Sequence, residues 1–136
     1  MASILKVDEM QGVTSAGDIT ITSEGGAATQ SLQQGLIKGW SHLDGSQAAA
    51  SMAQDSFNLS SMTDSGSGDY TFVLSNVMAS VSHSTTAVGD HMTNGHLFLS
   101  VSVYTTSGAR VLARNDTTAV ATDPPNISVQ TSGDLA

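Results

Sequence analysis

Cysteine is absent from the 136 residues, which removes disulfide frameworks, thiolate nucleophiles and cysteine-ligated zinc from this chain. Basic side chains are scarce as well: four Lys and Arg stand against twelve Asp and Glu, for a formal charge of −8. Four cations cannot build the phosphate-neutralising stripe that nucleic-acid binding needs, so neither DNA nor RNA is an expected partner. No run approaches the roughly 18 apolar residues of a membrane span, and the N-terminus lacks the basic-then-apolar pattern of a signal peptide, so membrane insertion is not expected. Aromatic residues are few, with three Phe, two Tyr and one Trp to fill an interior. A thin core of this kind makes a lone monomer marginal, and burial between subunits is a standard remedy.

Hydroxyl groups are plentiful instead. Ser and Thr together number 36, beside 13 Gly and only 2 Pro. Ser and Thr are poor helix formers and Thr favours the pleated strand, so many short strands joined by small-residue turns are expected. Alternation marks Asp18-Ile19-Thr20-Ile21-Thr22 as a half-buried strand, and Ser23-Glu24-Gly25-Gly26-Ala27-Ala28-Thr29 has the composition of a linker. Beyond it, Leu36–Ser41 reads as a strand carrying the single Trp40, and Ala48–Gln54 reads as a helical turn, which propensity favours, or as an extended segment. Ser56–Met62 and Asp69–Ser75, joined by Asp64-Ser65-Gly66-Ser67-Gly68, form the clearest hairpin, with Tyr70, Phe72 and Leu74 on one face. Val77–Thr86 is a further strand candidate and Thr85–Gly95 reads as loop. His96–Tyr104 places Leu97, Leu99, Val101 and Val103 on one side, Ala109–Arg114 pairs with it, and Asn126–Thr131 is a closing strand after Pro124-Pro125. The expected fold is all-β: a small antiparallel β-sandwich or jelly-roll-like domain over residues 36–136, preceded by an extended N-terminal attachment arm and linker over residues 1–35. Trp40, Phe57, Tyr70, Phe72, Leu97, Leu99 and Val101 are the expected core.

Few constellations carry chemistry. No Gly-x-Ser-x-Gly elbow accompanies the Ser, His and Asp residues. Asp55, Asp64 and Asp69 are the nearest carboxylates for a glycosidase pair, yet Asp64 and Asp69 flank the hairpin turn, where Asp bonds its own backbone. His83, His91 and His96 lie within fourteen positions, with Asp90 beside His91, and are weak candidates for a metal or an anion on a threefold axis. No cofactor is expected. Trp40, Tyr70 and Tyr104 are of the type that stacks on sugars, but a chain so poor in aromatics is expected to use them inside. Three Asn-x-Ser/Thr triplets begin at Asn58, Asn115 and Asn126, as chance produces in such a composition. The apolar residues Ile4, Leu5, Val7, Ile19 and Ile21 have no local partner and are the candidate docking residues of the arm.

Two stretches carry a resemblance. The opening Ala2-Ser3-Ile4-Leu5-Lys6-Val7-Asp8, then Gly17-Asp18-Ile19-Thr20-Ile21, resembles the start of many virion structural proteins of marine tailed bacteriophages. Ile37-Lys38-Gly39-Trp40, Asp44-Gly45, the run Asp55–Asp64, Gly66 and Gly68-Asp69-Tyr70-Thr71-Phe72 are similar to the small tail-fibre-like domain that follows that start in podoviruses and cyanophages. The family's Met-Pro after the Tyr strand is replaced by Asn76-Val77-Met78-Ala79, and residues 80–136 lie outside the resemblance. It implies a virion component, located in the phage particle and most readily its tail. Such a component is a homotrimeric fibre or appendage that docks on other virion proteins by its N-terminus and meets a host receptor or glycan with its distal domain. A capsid decoration protein bridging capsid subunits is the alternative within that class. A surface-polysaccharide hydrolase is the alternative outside it, although depolymerases usually need longer grooves than 136 residues supply. The resemblance brings no active site, and a non-enzymatic role is expected.

Overall fold

Short runs of alternating residues, punctuated by Gly, Asp and Ser, become ten strands in the computed structural model, which describes residues 4–13, 19–23, 25–90 and 96–136. The chain divides into two units, Met1–Leu36 and Ile37–Ala136.

In the first unit β1 (Thr20–Thr22) pairs antiparallel with β2 (Thr29–Ser31), followed by the single turn α1 (Leu32–Gly35). The stretch read as a linker closes this hairpin: the Ser23 N–H donates to the Ala28 carbonyl at 2.8 Å and the Gly26 N–H to the Ser23 carbonyl at 2.8 Å. No described side chain of this unit is fully buried. Three-residue strands offer too little area for a core, so the unit rests on its turn and ladder bonds.

The second unit is built of β3 (Ile37–Leu43), the turn α2 (Ala49–Met52), β4 (Ala53–Phe57), β5 (Leu59–Asp64), β6 (Asp69–Leu74), β7 (Ser84–Gly89), β8 (Leu97–Thr105), β9 (Gly108–Asn115) and β10 (Ile127–Ser132). They form two four-stranded antiparallel sheets, ordered β4-β3-β10-β7 and β5-β6-β9-β8. Alternation then decides the core. Leu43, Ile127 and Val129 from the first sheet meet Tyr70, Phe72, Leu74, Ala109, Val111 and Ala113 from the second, and Met52 and Met78 complete the cluster. This is the expected β-sandwich, with the predicted hairpin in place as β5-β6.

The corner between the sheets is Asn58, with φ 59°. Its Nδ2 donates to the Lys38 and Asn76 carbonyls at 2.8 and 3.0 Å, and its Oδ1 accepts the Asn76 N–H at 2.7 Å. Asn tolerates this left-handed conformation better than other residues with a side chain, and here its amide ties both sheets to the bend.

Five expectations change, one of them Tyr104, which is exposed near the end of β8 rather than inside. Trp40 and Phe57 lie outside the core, because both fall on the outward parity of β3 and β4. Leu97, Leu99 and Val101 pack against the core only half-buried, and a register shift between Ser102 and Thr105 turns Val103 outward at φ 51°. Residues 84–89, read largely as loop, form β7, whose Thr85 and Ala87 face inward while Thr86 and Val88 face out. Thr is at home on such a half-buried ladder, which polarity alone concealed. The strand expected over 77–86 is reduced to an isolated bridge at Met78 before β7 begins.

Candidate functional site: the outer face of the β4-β3-β10-β7 sheet

Residues directly opposite in an antiparallel ladder share a face. Trp40 on β3 stands opposite Phe57 on β4 and Gln130 on β10, and Gln130 stands opposite Thr86 on β7. Two residues along the strands, His42 stands opposite Asp55 and Ser128, and Ser128 opposite Val88. The intervening residues Ser41, Val129 and Ala87 point to the interior. Two rows of side chains therefore cross the sheet on its outer side, one beginning with two aromatic rings and the other with a carboxylate and an imidazole.

The central part of this face is a shallow depression of about 430 Å3, lined by Trp40, His42, Thr86, Val88, Ser128 and Gln130. Trp40 is 38% and Phe57 55% exposed, large values for the biggest apolar side chains of a chain so short of them. Among the described residues, the side chains of Trp40, His42, Thr86, Ser128 and Gln130 make no hydrogen bond to the rest of the chain. Asp55 spends one oxygen on the Ser56 N–H at 2.8 Å.

Neither Lys nor Arg lines the depression. Lys38, on β3, is only 5% exposed; burial pulls its pKa below the ordinary lysine value, and the attraction of Asp134 resists that shift. Arg110 and Arg114 belong to β9 of the other sheet. Arg110 grips Asp69 through both carboxylate oxygens, and this bonding holds the Asp69 pKa below the usual carboxylate range.

The residues singled out from the sequence are scattered. Ile4, Leu5, Val7 and Ile21 are exposed in the first unit, and Ile19 is half-buried with its carbonyl accepting the Leu32 N–H at 2.7 Å. His83 is committed locally: Nε2 lies 2.9 Å from the Thr105 carbonyl, Nδ1 lies 3.3 Å from the Thr85 hydroxyl, and its ring meets Tyr104 edge-on at 5.3 Å. With Nε2–H donating to the carbonyl, Nδ1 is left to accept from Thr85. The His96 N–H donates to Asp116 at 2.8 Å, and His91 lies outside the described residues. Among the described residues no three metal-ligating side chains converge.

The acidic residues have structural employment as well. Asp64 accepts the Gly66 N–H at 2.9 Å within the hairpin turn. Asp123 accepts from the Tyr70 hydroxyl at 2.8 Å and the Gly68 N–H at 2.6 Å, pinning a buried phenol to the far loop. Desolvation pushes the Asp123 pKa up, but the Gly68, Tyr70 and Ser67 hydrogen bonds outweigh it and hold it low. Burial and the neighbouring Asp123 carboxylate push the Tyr70 pKa well up, which keeps the phenol a donor.

The sequence reading missed the outer face because it assigned the aromatics to the interior. The signal was parity: Trp40 and His42 alternate with Ser41 and Leu43, and Ser128 and Gln130 alternate with Ile127 and Val129. Among the described residues no helix is long and apolar enough to cross a membrane. No protein-family model, curated protein or solved structure matches the chain.

Proposed function

We propose that this chain is a virion structural protein, a trimeric tail fibre or tail appendage that docks through its N-terminal unit and presents the sandwich to the host surface. The observation that carries this reading is the exposure of Ile4 and Leu5, each 80%, and of Val7, 52%, in a unit that buries none of its described side chains. An exposed apolar segment of this kind can add in extended form to the sheet edge of a partner, where main-chain bonds supply affinity and alternate side chains supply register. The hydrophobic core of the sandwich draws on no residue before Leu43, so the sandwich is expected to fold without that segment. The role is attachment and assembly rather than catalysis.

Deletion of residues 2–22 tests the reading. The truncated protein is expected to fold and to be missing from particles, measured by immunoblot of purified virions. Normal incorporation would move the docking surface into the sandwich and favour a capsid decoration protein instead.

A further inference from the structure

We infer that the outer face of the β4-β3-β10-β7 sheet is a binding site for a neutral glycan. The inference rests on the adhesive reading above for the source of the ligand, whereas the face itself is read from its side chains. An indole and a phenyl ring side by side across β3 and β4 offer flat apolar surfaces to the C–H faces of pyranose rings. Beside them the side chains are those that pair with sugar hydroxyls. Gln130 brings an acceptor and two donors, Asp55 an acceptor oxygen beyond the one held by Ser56, and His42, Ser128 and Thr86 add groups that bond to nothing else among the described residues. Sites for small polar ligands combine apolar lining with a few convergent polar groups, and the depression beside Trp40 has both.

Charge selects the class of sugar. The depression is lined by no Lys or Arg, Lys38 on β3 is buried, and the Asp55 carboxylate stands opposite His42 on the ladder, in a chain of net charge −8. Sulfated, phosphorylated or uronate-bearing glycans would meet repulsion with no Lys or Arg to offset it. A second copy of the chain is a poorer occupant, because burying this face against an apolar patch would leave the Gln130, His42 and Ser128 groups desolvated without partners.

Trp40 is the sole tryptophan, so the emission of the intact protein reports on this face. The experiment titrates the full chain with neutral oligosaccharides of glucose, galactose, mannose and N-acetylglucosamine, and with sulfated and uronate-bearing counterparts. Affinity is confirmed by calorimetry. At least one neutral series is expected to shift Trp40 emission to the blue. Gln130→Ala is expected to weaken that binding at least tenfold with an unchanged circular dichroism spectrum, and Thr63→Ala, exposed on β5 of the other sheet, to leave it unaltered. Response to anionic sugars alone, or to none of the panel, overturns the inference. So does an emission change that follows protein concentration, which marks an interface between copies, or one that appears on deletion of residues 2–22, which marks a site covered by the arm. Immunoblotting of virions reads the particle assignment separately, so a glycan-binding protein absent from particles and a virion protein with an inert face are distinguishable outcomes.

Discussion

Asn58 shows how much one side chain can hold. It accepts a left-handed φ and makes three hydrogen bonds that join the end of β4 to β3 and to the loop after β6. Asn58→Ala is expected to cost about 2–4 kcal/mol, the sum of three ordinary hydrogen bonds and the conformational penalty of a Cβ at positive φ. Asn58→Gly should recover about 1 kcal/mol of that, read as a difference in urea midpoints. Asp123 and Asp69 contribute to the acid limb of stability, beside Asp44 and Asp116, whose pKa values are lowered by hydrogen bonds from Ser46 and His96. All four have native pKa values below the unfolded carboxylate value, so their contribution is present above that value and is lost as pH falls through the native pKa. Stability is therefore expected to hold above about pH 5 and to decline below about pH 4. Tyr70→Phe should cost about 1–2 kcal/mol at neutral pH, since Asp123 is exposed enough to keep its bond near the lower end for a charged acceptor. Thermal melts between pH 3 and 7 check both statements.

Strand parity separates structural aromatics from displayed ones at the scale of elements. Phe72 on β6 is 4% exposed and inside the core, whereas Phe57 on β4 is 55% exposed. Phe72→Ala is expected to destabilise by about 3–5 kcal/mol and Phe57→Ala by less than about 1 kcal/mol, measured by urea denaturation. A large loss from Phe57→Ala would mean that β4 depends on its outward side chain. The glycines at strand ends belong to the same scale. Gly68, at φ 65°, brings its backbone against the Ala113 and Thr122 carbonyls, where an added Cβ would lie 2.2 and 2.8 Å from oxygen. That approach lets its N–H reach Asp123 and places the β5-β6 turn against the segment after β9.

For the whole molecule, the division into a hairpin unit and a sandwich matches the two tasks proposed, attachment and display. The expected assembly is a trimer, since threefold symmetry suits an appendage and a shared interface would cover apolar residues such as Phe98, Val103 and Val120, each more than half exposed. Sedimentation equilibrium is expected to return about three times the 13.9 kDa chain mass; a value near 14 kDa at micromolar concentration would rule the trimer out.

Alternation and turn chemistry were enough to read the all-β class, the β5-β6 hairpin and the inward face of β6, because period-two burial is a local property written in consecutive residues. They could not decide which parity of β3 and β4 faces the core. That choice depends on the neighbours of β3, with β10 arriving from nearly ninety residues away in sequence to supply Ile127 and Val129 on one side and Ser128 and Gln130 on the other. Only after the sheets pair does Leu43 turn inward and Trp40 outward, so the site was spelled in the sequence residue by residue while its assembly belonged to long-range pairing. The bulge that turns Val103 out and the commitment of His83 to Thr105 likewise arise from contacts between strands, which no local pattern encodes.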